Sequence, residues 1–262
     1  MLEVNFKPCQ SHEIEHLMQE YTQSLSSPFD SFLEHHILSS TFYVILDESY
    51  EIGYYAICND RMLTQFYVKL SYLKAAQELF NEVIRKHNVE SIYVYTGDEL
   101  FVSLALDKDF RMTKQAYFFQ DSRQEFPEIE SRGNEIFGQA TLDDLVPLQE
   151  MCGDFLDQYE MRITSGELFT YYRGPILLGV GVLEKSNMLT GMASIGMFTN
   201  EHYRNQGIGR TIIIKLKQWC YGHQLVPISG CWYYNEASKR TLEGAGMVTK
   251  TRLLNITVIP SE

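Results

Sequence analysis

The order of predicted elements repeats along the chain. A strand–turn–helix over Phe66 to His87 matches one over Met197 to His223. The stretch Asp98 to Met112 (DELFVSLALDKDFRM) matches Asn235 to Met247 (NEASKRTLEGAGM). A chain of 262 residues has room for one large domain or two small ones, and the repetition selects two similar α+β domains in tandem. Asp121 to Gly133 (DSRQEFPEIESRG) is polar and carries a Pro and a Gly, so it reads as a linker. The expected division is therefore 1–120, a linker over 121–133, and 134–262.

In the first half, Ser11 to Gln23 reads as a helix with Ile14, Leu17, Met18 and Tyr21 on one face. Thr41 to Leu46, Ile52 to Cys58 and Met62 to Val68 read as strands. Ala75 to His87 is an amphipathic helix, followed by a strand at Ser91 to Tyr95, a helix at Glu99 to Leu106 and a strand at Ala116 to Gln120. The second half opens with a strand at Ile136 to Ala140 and a helix at Asp143 to Met151, then a helix or loop over Asp154 to Thr164. Leu168 to Tyr172, Pro175 to Leu183 and Met192 to Thr199 read as antiparallel strands. A helix over Thr211 to Tyr221, with Ile212, Leu216 and Trp219 or Cys220 inward, leads to a strand at Ile228 to Trp232. The chain closes with a helix at Glu236 to Glu243 and a strand at Thr249 to Ile259.

Between the strand Met192 to Thr199 and the helix that follows lies Arg204-Asn205-Gln206-Gly207-Ile208-Gly209-Arg210. A helix N-terminus presents unpaired N–H groups and the positive end of the helix dipole. Glycines let that backbone approach an anion, and Arg204 and Arg210 add charge. A Walker loop would need Lys and then Ser or Thr after the last Gly, where Arg210 and Thr211 stand. A dinucleotide fingerprint would need three spaced glycines and a later acidic residue. The first half has Lys69-Leu70-Ser71-Tyr72 at the equivalent place, without glycine.

Arg-x-x-Gly-x-Gly, with Tyr203 just before it, resembles the pyrophosphate loop of the GNAT superfamily of acetyl-CoA-dependent N-acetyltransferases. Asn235 to Met247 resembles that family's later segment, Asn-x-x-(Ala/Ser) followed by a closing Gly-(Phe/Met). The resemblance covers residues 134–262 and, more weakly, the first half. It implies two tandem GNAT-like domains, each a mixed, mostly antiparallel sheet flanked by helices, the first a degenerate copy without a cofactor loop. It implies acetyl-CoA as cosubstrate, with Met197, Phe198 and Thr199 on the pantetheine arm. Arg204, Asn205, Gln206, Gly207, Ile208, Gly209, Arg210 and Thr211 would take the pyrophosphate, and Asn235 and Ser238 would contact CoA. The acceptor it implies is the primary amine of a small molecule or peptide.

The family's tyrosine that protonates the departing thiolate is matched here by Leu242. Tyr233 and Tyr234 stand at the end of the preceding strand as other donors. The strand Met192 to Thr199 carries no carboxylate, so the base comes from elsewhere. Glu160 lies in the segment that lines the acceptor site in the family, and Glu201 is the other candidate. Glu184 lies at the far end from the loop. These departures support a second reading, a CoA-binding regulatory or interaction protein without transferase activity.

Net charge is −12. Residues 1–133 carry 11 Lys+Arg against 21 Asp+Glu, a balance of −10, and residues 134–262 carry 11 against 13. This disfavours nucleic-acid binding and suits a cationic partner. No apolar run reaches a membrane span, and the N-terminus lacks a basic-then-apolar leader. Five cysteines without a Cys-x-x-Cys pair argue against a zinc site or disulfide scaffold and fit a cytoplasmic protein. No metal is expected; a homodimer stays open, since oligomeric state is not fixed by these features.

Overall fold

The computed structural model describes residues 3–123 and 133–259. Most of the expected linker, 124–132, lies outside the described residues. The chain divides into two compact units, one of Met1–Phe118 with Thr251–Glu262, the other of Phe119–Lys250.

In the first unit β1 (Val4–Cys9), β2 (Thr41–Asp47), β3 (Tyr50–Cys58) and β4 (Met62–Val68) are antiparallel neighbours. Parallel pairing then joins β4 to β5 (Ser91–Tyr95) at Met62↔Ser91 and Leu63↔Ile92. The helices are α1 (Glu15–Ser24), α2 (Ser31–Leu38), α3 (Ala76–Lys86) and α4 (Glu99–Leu106). Helix α3 buries Leu79, Phe80 and Val83 as its periodicity predicts, in a core with Phe66, Phe101 and Ile92.

Two elements escape the sequence reading. Strand β1 holds Lys7 and Pro8 and pairs with β2 alone, an edge position where Pro is tolerated. Helix α2 is capped by Asp30, whose side chain accepts from the Leu33 N–H at 3.2 Å. Its eight residues are too few for a clear helical period. Strand β6 (Arg111–Asp121) also starts five residues before the expected Ala116.

The second unit repeats the plan. Strands β7 (Glu135–Gln139), β8 (Leu168–Arg173), β9 (Ile176–Lys185) and β10 (Met192–Thr199) are antiparallel neighbours. Parallel pairing then joins β10 to β11 (Val226–Trp232). Helices α5 (Leu145–Cys152), α6 (Tyr159–Thr164), α7 (Ile208–Gly222) and α8 (Glu236–Gly244) complete it. Helix α7 lies flat on β9 because Gly179 and Gly181 present no side chain. A Cβ at Gly179 would stand 2.7 Å from both Ile212 Cδ1 and the Phe198 carbonyl oxygen. One of those atoms is backbone and cannot swing aside, so Gly179→Ala is expected to cost about 1–3 kcal/mol. Urea unfolding with an unchanged midpoint would refute this.

The last strand corrects the expected boundary of the second domain. Strand β12 (Met247–Thr257) begins in the second unit, but Leu253–Thr257 pair antiparallel with Tyr95–Ser91 of β5. Ile256 joins the first unit's core, with Leu254 and Val258 against it. Side-chain alternation shows a strand here but says nothing of which strand it pairs with.

Candidate functional site

In the second unit, β10 and β11 pair only over Met192–Ser194 among the described residues. The Ser229 hydroxyl donates to the Ile195 carbonyl at 2.7 Å, and beyond that point the strands separate. Gly196–Thr199 stay paired with β9 on the other side. The separation exposes one backbone edge of β10, and Met197, Phe198 and Thr199 line the cleft of about 910 Å³ that opens there.

The turn into α7 closes one end of this cleft. Asn200 anchors it: the side-chain oxygen accepts from the His202 N–H at 3.1 Å, and the amide donates to the Leu177 carbonyl at 3.0 Å. Asn205 and Gly207 take positive φ, +62° and +82°. Gly207 is the N-cap of α7, and the Thr211 N–H to Gly207 carbonyl bond of 3.0 Å opens the helical ladder. The N–H groups of Ile208, Gly209 and Arg210 precede that ladder, so the helix itself gives them no acceptor.

Gly209 sets how closely α7 approaches its neighbours. A Cβ there would meet Thr199 Oγ1 and Thr241 Cγ2 at 3.1 Å each. Across the cleft, Asn235 caps α8 by accepting from the Ser238 N–H at 3.0 Å. Arg210 Nε donates to the Gly244 carbonyl at 2.7 Å, tying α7 to the end of α8. Three guanidinium groups, Arg204, Arg210 and Arg240, line the cleft against one carboxylate, Glu236. No acidic residue stands in the first turn of α7. A positive helix end, glycine backbone and three arginines form a site for a phosphorylated anion.

The family model described as an acetyltransferase (GNAT) domain matches residues 10–122. No curated protein matches the chain. A GNAT-family acetyltransferase from Colwellia psychrerythraea superposes with a TM-score of 0.87 at 19% identity, over 97% of this chain and 100% of that one. A tandem GNAT protein from the clavulanic acid biosynthesis pathway superposes at 0.65 and 13% identity, over 99% of this chain and 100% of that one. The chain is a tandem GNAT protein. A GCN5-related N-acetyltransferase from Sphaerobacter thermophilus gives 0.65 at 12% identity, over 97% and 95%. At these identities the likeness is one of fold. The matched family model falls on the half of the tandem GNAT protein that lacks the glycine loop.

The structure gathers most of the residues singled out in the sequence. Met197 to Thr199, Arg204, Asn205, Gly207 to Arg210, Asn235 and Ser238 all line the one cleft. Gln206 and Thr211 do not; Gln206 is exposed, and its amide lies 3.5 Å from the His202 carbonyl. Neither Glu160 nor Tyr234 lines the cleft. Glu160 is exposed on α6, and Tyr234 is 60% exposed one residue before Asn235. Leu242 is buried in the GNAT protein's core, 1% exposed, so its position does not address the cleft. Glu184 is held by Arg162 at 2.8 Å, and Arg162 also reaches Glu167 and Asp157. Glu201 is an exposed carboxylate 3.5 Å from Arg204.

Several lining residues were missed. Phe155, whose ring packs on Phe198 at 4.9 Å, comes from a stretch whose sequence has no helical period. Arg240 and Thr241 sit on α8 beyond the Asn235–Ser238 motif, and only the position of Arg240 one helical turn on could have pointed to it. Among the described residues no group of three His, Cys, Asp or Glu could hold a metal, and no helix is long and apolar enough to cross a membrane.

Proposed function

We propose that the second unit binds acetyl-CoA in this cleft and transfers the acetyl group to the primary amine of a small molecule or peptide. The observation that carries this reading is the coincidence of the opened edge of β10 with the α7 N-terminus and three arginines. The α7 N–H groups, Arg204 and Arg210 hold the pyrophosphate. The unpaired edge at Met197–Thr199 bonds the pantetheine amides and offers an N–H to the carbonyl oxygen as negative charge develops there. The amine nitrogen forms a bond to the thioester carbonyl carbon, the carbon–sulfur bond breaks, and the thiolate takes a proton.

Tyr234 is assigned as donor of that proton and Glu160, through water, as acceptor of the ammonium proton. Tyr234→Phe is expected to lower kcat by about ten- to a hundredfold, with little change in the KM for acetyl-CoA. Equal kcat for Tyr234→Phe or for Glu160→Gln would remove that residue from the chemistry.

The first unit is proposed to hold no cofactor. Lys69–Tyr72 replace the glycine loop, and Lys69 and Leu70 lead into a 3-10 turn rather than directly into α3. The α1–α2 connection closes over the end of β5. The Ser26 N–H donates to the Gly97 carbonyl at 3.3 Å, and the Tyr95 hydroxyl donates to the Ser27 carbonyl at 2.9 Å. Calorimetric titration with acetyl-CoA is the test of the whole reading. One site per chain is expected; two would overturn the reading of the first unit, and none would overturn that of the second. The exposed positions of Glu160 and Tyr234 favour one alternative, a CoA-binding regulatory protein, which acetyl transfer to any amine would exclude.

A further inference from the structure

The turn that carries the chain from β11 into α8 is aromatic and open to solvent. Trp232 is 57% exposed and Tyr234 60%. The rings of Trp232 and Tyr234 meet edge to face at 5.1 Å, and those of Tyr233 and Tyr234 do the same at 5.1 Å. The turn is closed by the Asn235 N–H donating to the Trp232 carbonyl at 2.9 Å. Contact between the rings holds them in fixed mutual orientation while leaving two large surfaces in water. Exposed, mutually supported Trp and Tyr side chains are what a recognition surface is built from.

The position of this turn gives the surface its meaning. The next two residues, Asn235 and Glu236, line the cofactor cleft, so the aromatic surface is continuous with its mouth. Glu236 adds the one carboxylate of that lining. A carboxylate beside aromatic faces attracts an ammonium group, through charge and through the ring quadrupole. The apolar faces of Trp232 and Tyr234 in turn remove from water the flat, apolar body that carries the ammonium.

We propose that Trp232, Tyr233 and Tyr234 form the docking platform for the acceptor, and that the acceptor is an arylalkylamine: a primary amine on a short chain bearing an aromatic ring. A linear polyamine could satisfy Glu236 but would leave the ring faces wet. This proposal rests on the transferase reading of the same cleft.

The test uses the full chain, with 2-phenylethylamine and putrescine as probes, thiol release as the rate signal, and acetyl-CoA binding measured separately. Wild type is expected to prefer 2-phenylethylamine in kcat/KM by tenfold or more. Trp232→Ala should raise the KM for that amine about tenfold and leave the KM for acetyl-CoA alone, as loss of one aromatic contact predicts. Trp232→Phe should restore most of the loss. At 57% exposure Trp232 is no core residue, so the variants fold. Equal use of the two amines, or an unchanged KM in Trp232→Ala, would overturn the platform while leaving the transferase reading in place. Absence of acetyl-CoA binding would overturn both. A dimer that Trp232→Ala dissociates in sedimentation would assign the surface to a second copy of the chain and overturn the proposal.

Discussion

Gly207→Glu abolishes acetyl-CoA binding in calorimetry, weakening it by about a hundredfold or more, while the variant stays folded. The argument has two parts. Gly207 has φ of +82°, and a Cβ built on it meets nothing within 4 Å. The cost to folding is therefore that of a left-handed backbone, about 1–2 kcal/mol. The cost to binding is larger. Glutamate places a carboxylate at the positive end of α7, where the helix dipole stabilises it. It sits where the α7 N–H groups, Arg204 and Arg210 would otherwise meet the pyrophosphate. An anion is then replaced by a tethered one, and like charges at contact distance in a partly desolvated site repel by several kcal/mol. Gly207→Ala separates the two parts, since it carries the backbone cost without the charge and should retain most of the affinity. If Gly207→Glu bound acetyl-CoA as wild type does, the α7 turn would have no part in holding it.

Asp98 makes the first unit less stable as pH rises from about 4 to about 7. Its carboxyl is buried as the N-cap of α4, accepting from the Phe101 N–H at 3.0 Å. Burial pushes its pKa up from 3.8 to about 7, with Glu99 adding to the rise, while the Phe101 N–H and the Tyr21 hydroxyl oppose it. Between those two values the folded chain keeps a proton that the unfolded chain has lost, so folding is favoured at the acid end. That stability drains away as pH rises through the folded pKa and is gone above it. The full difference is on the order of 4 kcal/mol. Asp98→Asn keeps an acceptor for the cap and has no charge to bury. It is expected to match wild type near pH 4 and exceed it by several kcal/mol at pH 8, in urea unfolding followed across that range. A difference between the two proteins that does not vary with pH would show that Asp98 stays ionised in the fold.

Local rules made much of this legible. The α7 turn could be read because glycine is demanded twice for different reasons, by a positive φ at Gly207 and by the close approach of Thr199 and Thr241 at Gly209. Helices α3 and α7 could be read from their period. What stayed hidden depends on partners distant in sequence. Lys217 belongs to the inward face of α7, yet a lysine there looks solvated. In the structure it is buried, ion-paired with Asp121 at 2.7 Å and bonded to the Ala245 carbonyl at 3.1 Å. Burial alone would raise the Asp121 carboxyl, but Lys217, Tyr221 and the Arg123 N–H hold it below the ordinary value. The catalytic candidates were the least legible. A short motif marks where a phosphate binds, whereas a proton donor or acceptor can come from any element that reaches the thioester.

Strand β12 has a consequence for how the molecule is made. The first unit takes its final strand residues, Leu253–Thr257, from the very end of the chain. A ribosome that has finished residues 1–118 has therefore not finished the first unit, because β5 still waits for its antiparallel neighbour. The nascent N-terminal half must hold an open sheet edge through the synthesis of everything that follows. A stop codon a dozen residues early would spare the cleft and strike the half that was translated first.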